Sequence, residues 1–398
     1  MRRKFPFSLE KHWQDPKGLI QVFVGPRQVG KTTAAEILTQ SDSTVFASAD
    51  LPAPPTIDFI VDKWNEARNL LAQKPSESVA LVLDEIQKIP RWSEVIKGLA
   101  DEDRRDKSQF KVALLGSSAL LIEKGLSESL TGRFEANYFP HWVYGEIEEL
   151  SGASLAQYIR WGGYPKVYDF MDDPERAAGY IENSILEPSL GRDILALHSV
   201  EKPALLRQLF WYVSRLPAQI VSFEKILGHL QDRGNSATLV HYAELLVQAF
   251  LVCPIHKFSV ALHRTKKSTP KWLFPNPGLI HPSVFSDRSS DGFVFENLVG
   301  SHLLNISYGR KRYELKYFRD DGYEVDYIFC KDSEPLFAIE VKSGRVKKIP
   351  TSARLAASGI QCPFVVVTPE NIKDLLIHID PEEIVNDQNL FSKTNFRS

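Results

Sequence analysis

Hydrophobic and polar positions change rhythm twice along the chain, and each change marks a different kind of architecture. From Leu19 to about Glu149, short apolar runs alternate with stretches in which apolar residues return every three or four positions. "LIQVFVG", "STVFASAD", "VALVLDEIQ" and "KVALLGSSA" have strand length and are bounded by glycine or polar residues. "KTTAAEILTQ", "FIVDKWNEARNLLAQ" and "SEVIKGLADED" carry helical spacing between them. Apolar strands separated by amphipathic helices predict an α/β domain with a parallel, doubly wound sheet. In such sheets ligands sit at the carboxyl ends of the strands.

After about Leu150 the helical period dominates, in "ALLRQLFWYVSRL", "FEKILGHLQ" and "SATLVHYAELLVQAFLV". Two extended pieces, "PIHKFSV" and "WLFPNPG", then flank a basic tip, "HRTKKSTPK". Three helices followed by a β hairpin outline a winged helix. From about Asp291 the helix "FVFENLVGSHLLNI" precedes strands "YELKYFR", "YEVDYIFC", "LFAIEVKS" and "CPFVVVT", a small α/β unit. The expected division is residues 1–150, 151–281 and 282–398.

Composition changes this picture little. A chain of 398 residues is long enough for two or three cores, and 43% hydrophobic with 25% charged residues suits a soluble protein. No apolar run approaches the roughly 18–20 residues that span a bilayer. "MRRKFPFSLEKHW" has the positive start of a signal peptide without its apolar core, so a cytoplasmic location is expected. Cys253, Cys330 and Cys362 lie far apart in hydrophobic contexts and read as core residues in a reducing compartment. A net charge of −2 makes no global demand for a polyanionic partner, so any nucleic-acid contact needs a local basic patch.

The candidate chemistry starts at "GPRQVGKTT", residues Gly25, Pro26, Arg27, Gln28, Val29, Gly30, Lys31, Thr32 and Thr33. It fits Gly-x-x-x-x-Gly-Lys-[Ser/Thr] between a strand and a helix, the setting in which backbone N–H groups cradle a phosphate chain. Lys31 is then placed to reach the β and γ phosphates, and the Thr32 hydroxyl to hold Mg²⁺. "LVLDEI" delivers Asp84 and Glu85 at a strand end, one suited to the metal and the other to polarising a lytic water. The fourth strand ends in "GSSA", where Ser117 or Ser118 is either a γ-phosphate sensor or part of a turn. Arg133, after Gly132, is either an arginine finger reaching a neighbouring subunit or a surface ion pair. ATP and Mg²⁺ are the expected cofactors, with Lys31, Glu85, Ser118 and Arg133 as the catalytic set.

"GPRQVGKTT", "LDEIQKIPRW", "GSSALL" and "ESLTGRF", in this order, resemble the bacterial and archaeal ATP-binding proteins of the AAA+ superfamily. "GGYPKVY", the surroundings of Arg192 and Asp193, and "GFVFENLV…EVDYI…IEVKS" extend the resemblance over nearly the whole chain. It implies an Orc-like P-loop ATPase core, a winged helix and a restriction-endonuclease-like C-terminal fold.

"YEVDYIF" and "AIEVKS" raise a second chemistry. Alternate strand residues share a face, so Glu340 and Lys342 point the same way and Asp326 on the neighbouring strand can converge with them. Two carboxylates and a lysine suit metal-dependent phosphodiester cleavage, with Glu296 as a further ligand. The set resembles the PD-(D/E)xK nuclease superfamily. A cross-strand salt bridge and a fold that has lost its activity are the competing readings.

The third helix of the expected winged helix, "SATLVHYAELLVQAF", has no Lys or Arg, so major-groove readout looks weak. Arg264, Lys266, Lys267 and Lys271 remain as phosphate contacts, or else as a solvated hairpin. Two functions are therefore expected to compete. One is an Mg²⁺-dependent ATPase coupled to a nuclease-like domain acting on DNA, in a homo-oligomer for which a hexamer is one option. The other is a nucleotide-dependent scaffold or regulator whose C-terminal domain is catalytically inactive.

Overall fold

Ile20–Val24, the strand β1, is buried at every position, as its unbroken apolar run requires. A computed structural model describes residues 9–15, 18–52, 55–106, 109–116, 129–197, 200–231, 235–259, 268–320, 323–344, 352–387 and 390. The chain divides into two compact units, Met1–Pro140 and His141–Ser398.

In the first unit β2 (Ser43–Ser48), β3 (Val79–Asp84), β4 (Lys111–Gly116) and β5 (Phe134–Tyr138) join β1 in the order β2-β3-β4-β1-β5. All four pairings are parallel. The central strands β1, β3 and β4 are almost wholly buried, which is why they read as continuous apolar runs. β5 is absent from the sequence-based expectation. Its residues are mostly half-buried and alternate in polarity, because it lies at the sheet edge. The helix Ile57–Gln73 buries Ile60, Trp64 and Ala67, a stripe at helical spacing. Trp64 Nε1 donates to Asp103 Oδ2 at 2.6 Å and Arg68 Nε to Asp103 Oδ1 at 2.7 Å, fastening this helix to Trp92–Asp106.

The second unit starts with helices, among them Tyr144–Ser151, Leu155–Trp161 and Pro174–Tyr180, and continues through π-helical turns at Ile181–Leu186 and Ser189–Asp193. Helices Pro203–Val213, Phe223–Leu227 and Ser236–Gln248 precede an antiparallel ribbon of β6 (Cys253–Ile255) and β7 (Lys271–Leu273). The helix Asp291–Ser307 buries residues around most of its circumference. A four-stranded sheet follows, ordered β11-β10-β9-β8, from β8 (Tyr313–Asp320), β9 (Tyr323–Lys331), β10 (Glu334–Val341) and β11 (Phe364–Val367). Only β10 and β11 are parallel in it.

Buried amides knit this unit. Asn276 Oδ1 accepts from Gly163 N at 2.9 Å and Gly278 N at 3.0 Å. Asn297 pairs with both backbone groups of Phe274, at 2.9 and 3.2 Å, and Asn305 Nδ2 donates to Pro275 O at 2.7 Å. "GGYP" and "FPNPG" are thus two sides of one hydrogen-bonded junction. Cys330 is buried and all three cysteines are free thiols, two of them half-buried.

Candidate functional site

The carboxyl ends of β1 and β3 bring the phosphate-loop residues and the paired acids together. Gly25 ends β1 where no side chain fits, since a Cβ there would lie 2.2 Å from the Phe139 carbonyl oxygen. Phe139 N donates to Val24 O at 2.8 Å, so the chain leaving β5 closes on the loop. Gly30 has φ 87° and opens the helix Lys31–Leu38, whose first backbone N–H groups have no partner within the helix. Gln28 is also left-handed, at φ 62°. The loop and helix end are shaped for anion binding.

A solvent-facing side chain is the natural reading of the motif, yet Lys31 is buried. Its Nζ donates to Gly25 O at 2.8 Å and Pro26 O at 2.7 Å. The physical reason is the cost of an unpaired buried ammonium, which the loop's own carbonyls offset. Thr32 Oγ1 donates to Asp84 Oδ2 at 2.8 Å, joining the loop to the end of β3. Burial raises the Asp84 carboxyl above its ordinary range and the Glu85 charge adds to this, while the Thr32 hydrogen bond acts against it. A hydroxyl and a carboxylate in contact at a phosphate loop are a donor set that suits Mg²⁺ beside a nucleotide.

Glu85 has φ 52°, a strained setting for a residue with a side chain. The turn Ile86–Lys88 follows directly, and Gln87 Nε2 donates to Glu85 Oε2 at 2.7 Å. Gln87 is buried and was not anticipated as part of the site. Its only signal is its position two residues after an acid pair. Arg133 sits just before β5 and makes two hydrogen bonds to Asp101, at 2.8 and 3.1 Å. Asp101 holds the guanidinium above its ordinary value, so Arg133 is paired within its own chain. Ser117 and Ser118 lie outside the described residues, as do Arg264, Lys266 and Lys267.

The C-terminal acids form a separate cluster. Asp326 and Glu340 stand one step past the Ile339–Tyr327 pair of β9 and β10, and both are buried. Asp326 Oδ2 accepts from Val341 N at 2.8 Å. Lys342 forms an ion pair with Glu340 Oε1, and Glu340 Oε2 has no hydrogen-bond partner. Lys271 corrects the expectation of a basic tip. It is 1% exposed, on β7, with its ammonium against Glu296 Oε1, 3.3 Å from Asp326 Oδ1 and 3.6 Å from Glu324 Oε1. "PKWLF" carried the warning, because Trp272, Leu273 and Phe274 mark a core strand.

Burial works against the charge on Lys271, but Glu296, Asp326 and Glu324 outweigh it and raise its pKa. Burial and the Asp326 charge push Glu296 and Glu340 well above the ordinary carboxylate range. The described residues contain no group of three or more His, Cys, Asp or Glu arranged to hold a metal ion.

Residues 17–147 match the family model described as an AAA domain. Residues 152–289 and 291–375 match two domains of unknown function, DUF8612 and DUF4143. An uncharacterized protein of Mycobacterium tuberculosis, Rv2008c, is 25% identical over 389 residues, covering 92% of this chain and 81% of its own. The uncharacterized protein MJ1544 of Methanocaldococcus jannaschii is 24% identical over 340 residues, covering 80% and 74%. Among solved structures, the Walker-type ATPase PABY2304 of Pyrococcus abyssi has TM-score 0.46 and 13% identity, over 66% of this chain and 89% of that one. The Aeropyrum pernix Orc1 protein in complex with DNA has TM-score 0.30 and 12% identity, over 74% and 89%. With its parallel five-stranded sheet and the AAA match over residues 17–147, the N-terminal unit is a P-loop domain of the AAA type.

Proposed function

We propose that the protein is a cytoplasmic Mg²⁺-dependent ATPase that works as a nucleotide-gated switch in a homo-oligomer. The observation that carries this reading is the contact between Thr32 Oγ1 and Asp84 Oδ2, which unites the phosphate loop with the end of β3. ATP would be gripped by residues 25–33, with Lys31 turning from the loop carbonyls to the β and γ phosphates. Thr32 and Asp84 would hold Mg²⁺, which supplies charge neutralisation at the phosphates. Glu85, next along the chain, would polarise the attacking water. Arg133 would serve a neighbouring subunit's site after leaving Asp101, and Ser118 would sense the γ phosphate.

Glu85→Gln tests the assignment. It keeps size and the Gln87 contact but removes the base, so ATP should bind with unchanged affinity while turnover falls by about 10²-fold or more. Steady turnover in a folded Glu85→Gln protein would remove Glu85 from the mechanism.

For the C-terminal residues, action on DNA through a winged helix and a nuclease-like fold is one reading. The burial of Lys271 among the acids favours the other, a nucleotide-dependent scaffold or regulator whose C-terminal sheet does not cleave. Burial also takes Lys271 out of the basic tip that would have gripped phosphates.

A further inference from the structure

We propose that Lys271 is the resident counter-cation of the Glu296, Glu324, Asp326 and Glu340 cluster, and that its ammonium excludes a divalent metal from this site. The inference deepens the non-cleaving reading and rests on it only for its functional meaning. Metal binding, not cleavage, is what it predicts.

Four carboxylates from the helix Asp291–Ser307, β9 and β10 face two lysines, Lys271 and Lys342. An ammonium buried this deeply is tolerated only where anions surround it, because desolvation disfavours the charged form. Lys271 meets that condition from more than one side. It touches Glu296, lies 3.3 Å from both Asp326 Oδ1 and the Asp326 carbonyl, and has Glu324 at 3.6 Å. The Tyr327 ring centroid is 5.2 Å from Nζ, adding the face of an aromatic ring.

The same contacts occupy four of the oxygens that a metal would need, and Glu340 Oε2 is left without a hydrogen-bond partner. Mg²⁺ takes six oxygen ligands at about 2.0–2.1 Å in near-octahedral geometry. Here Asp326 Oδ1 and Glu296 Oε1 face the ammonium, and Asp326 Oδ2 is spent on the Val341 N–H. Glu340 Oε1 is spent on Lys342. A dication placed among the Lys271 acceptors would lie within a few ångströms of the ammonium, and the repulsion inside a poorly hydrated site is large.

Lys271 is also fastened at its backbone. It pairs with Ile255 in the ribbon and bridges to Ile220. The neighbouring Trp272 N donates to Gln219 O at 3.0 Å, and Ala218 N to Trp272 O at 2.8 Å. The lysine is therefore delivered by the helical part of the unit into a sheet built much later in the chain.

The test uses the full chain without nucleotide and Mn²⁺ as the probe. Bound Mn²⁺ is counted by electron paramagnetic resonance, and melting temperature is followed alongside. The unmodified protein and Asp326→Asn should bind equal amounts of Mn²⁺, any site at the phosphate loop being common to both. Lys271→Met should melt at lower temperature, bind one further Mn²⁺ per chain and regain stability with it. Both gains should vanish in Lys271→Met/Asp326→Asn. An extra Mn²⁺ in the unmodified protein that Asp326→Asn removes would overturn the proposal. A folded Lys271→Met that gains no Asp326-dependent Mn²⁺ would overturn it too. Should Lys271→Met fail to fold, Lys271→Met/Glu296→Gln removes one charge of each sign, and the comparison of unmodified protein with Asp326→Asn still decides.

Discussion

Lys31 shows how one side chain ties ligand binding to the stability of its own loop. Lys31→Ala should abolish most ATP affinity, because Lys31 is the cation that the motif places for the β and γ phosphates. It should also lower the nucleotide-free stability, since two inward carbonyls lose a charged donor. Leaving such groups unsatisfied costs about 1–3 kcal/mol, each kcal/mol lowering the melting temperature by roughly 2–4 °C for a unit of this size. Calorimetry with ATP and thermal melts without it separate the two effects. An unchanged melt would mean that the carbonyl contacts contribute nothing. Glu85 and Gln87 make a related point, for the left-handed backbone at Glu85 turns its carboxylate within reach of a buried amide.

At the scale of elements, β9, β10 and the helix Asp291–Ser307 press acids together, and protons should answer. Glu296 faces Lys271, Asp326 and Glu324, while Glu340 faces Asp326, Lys342 and Lys271. Both carboxyls titrate higher in the folded protein than in the unfolded chain. The folded state therefore holds more protons, and stability falls as pH rises from the ordinary carboxylate range through neutrality. Glu296→Gln should flatten this fall in denaturant melts taken between pH 5 and 9. A slope that is unchanged would show that Glu296 is not the group holding the extra proton. Asn276 illustrates the opposite kind of burial, a polar side chain whose bonds to Gly163 and Gly278 are made within a rigid junction.

For the molecule as a whole, the open question is whether sites are completed between copies of the chain. Arg133→Ala should bind ATP yet lose turnover, as should Glu85→Gln. If Arg133 acts in trans, mixing the two inactive proteins restores part of the activity, because some interfaces then combine an intact Glu85 with an intact Arg133. Activity should fall on dilution as those interfaces separate. No recovery on mixing, or turnover independent of concentration, would leave Arg133 as the partner of Asp101 and nothing more.

The N-terminal sheet was legible from residue order alone because its chemistry is local. A buried parallel strand must be apolar, a phosphate loop needs its glycines at set spacing, and the acids at Asp84 and Glu85 end the run that carries them. The C-terminal strands were legible for the same reason, and alternation placed Glu340 and Lys342 on one face. β5 escaped because an edge strand need not be apolar. Gln87 and the Arg133–Asp101 pair escaped because neither depends on a pattern within its own element. The flanking apolar residues hinted at the burial of Lys271, but its partners could not be read from sequence. Its partners lie on elements that begin with Asp291, and a lysine is solvated or buried according to what the fold sets around it. Tertiary structure alone brought the Lys271 ammonium against Glu296, Asp326 and Glu324, because those acids come from elements far along the chain.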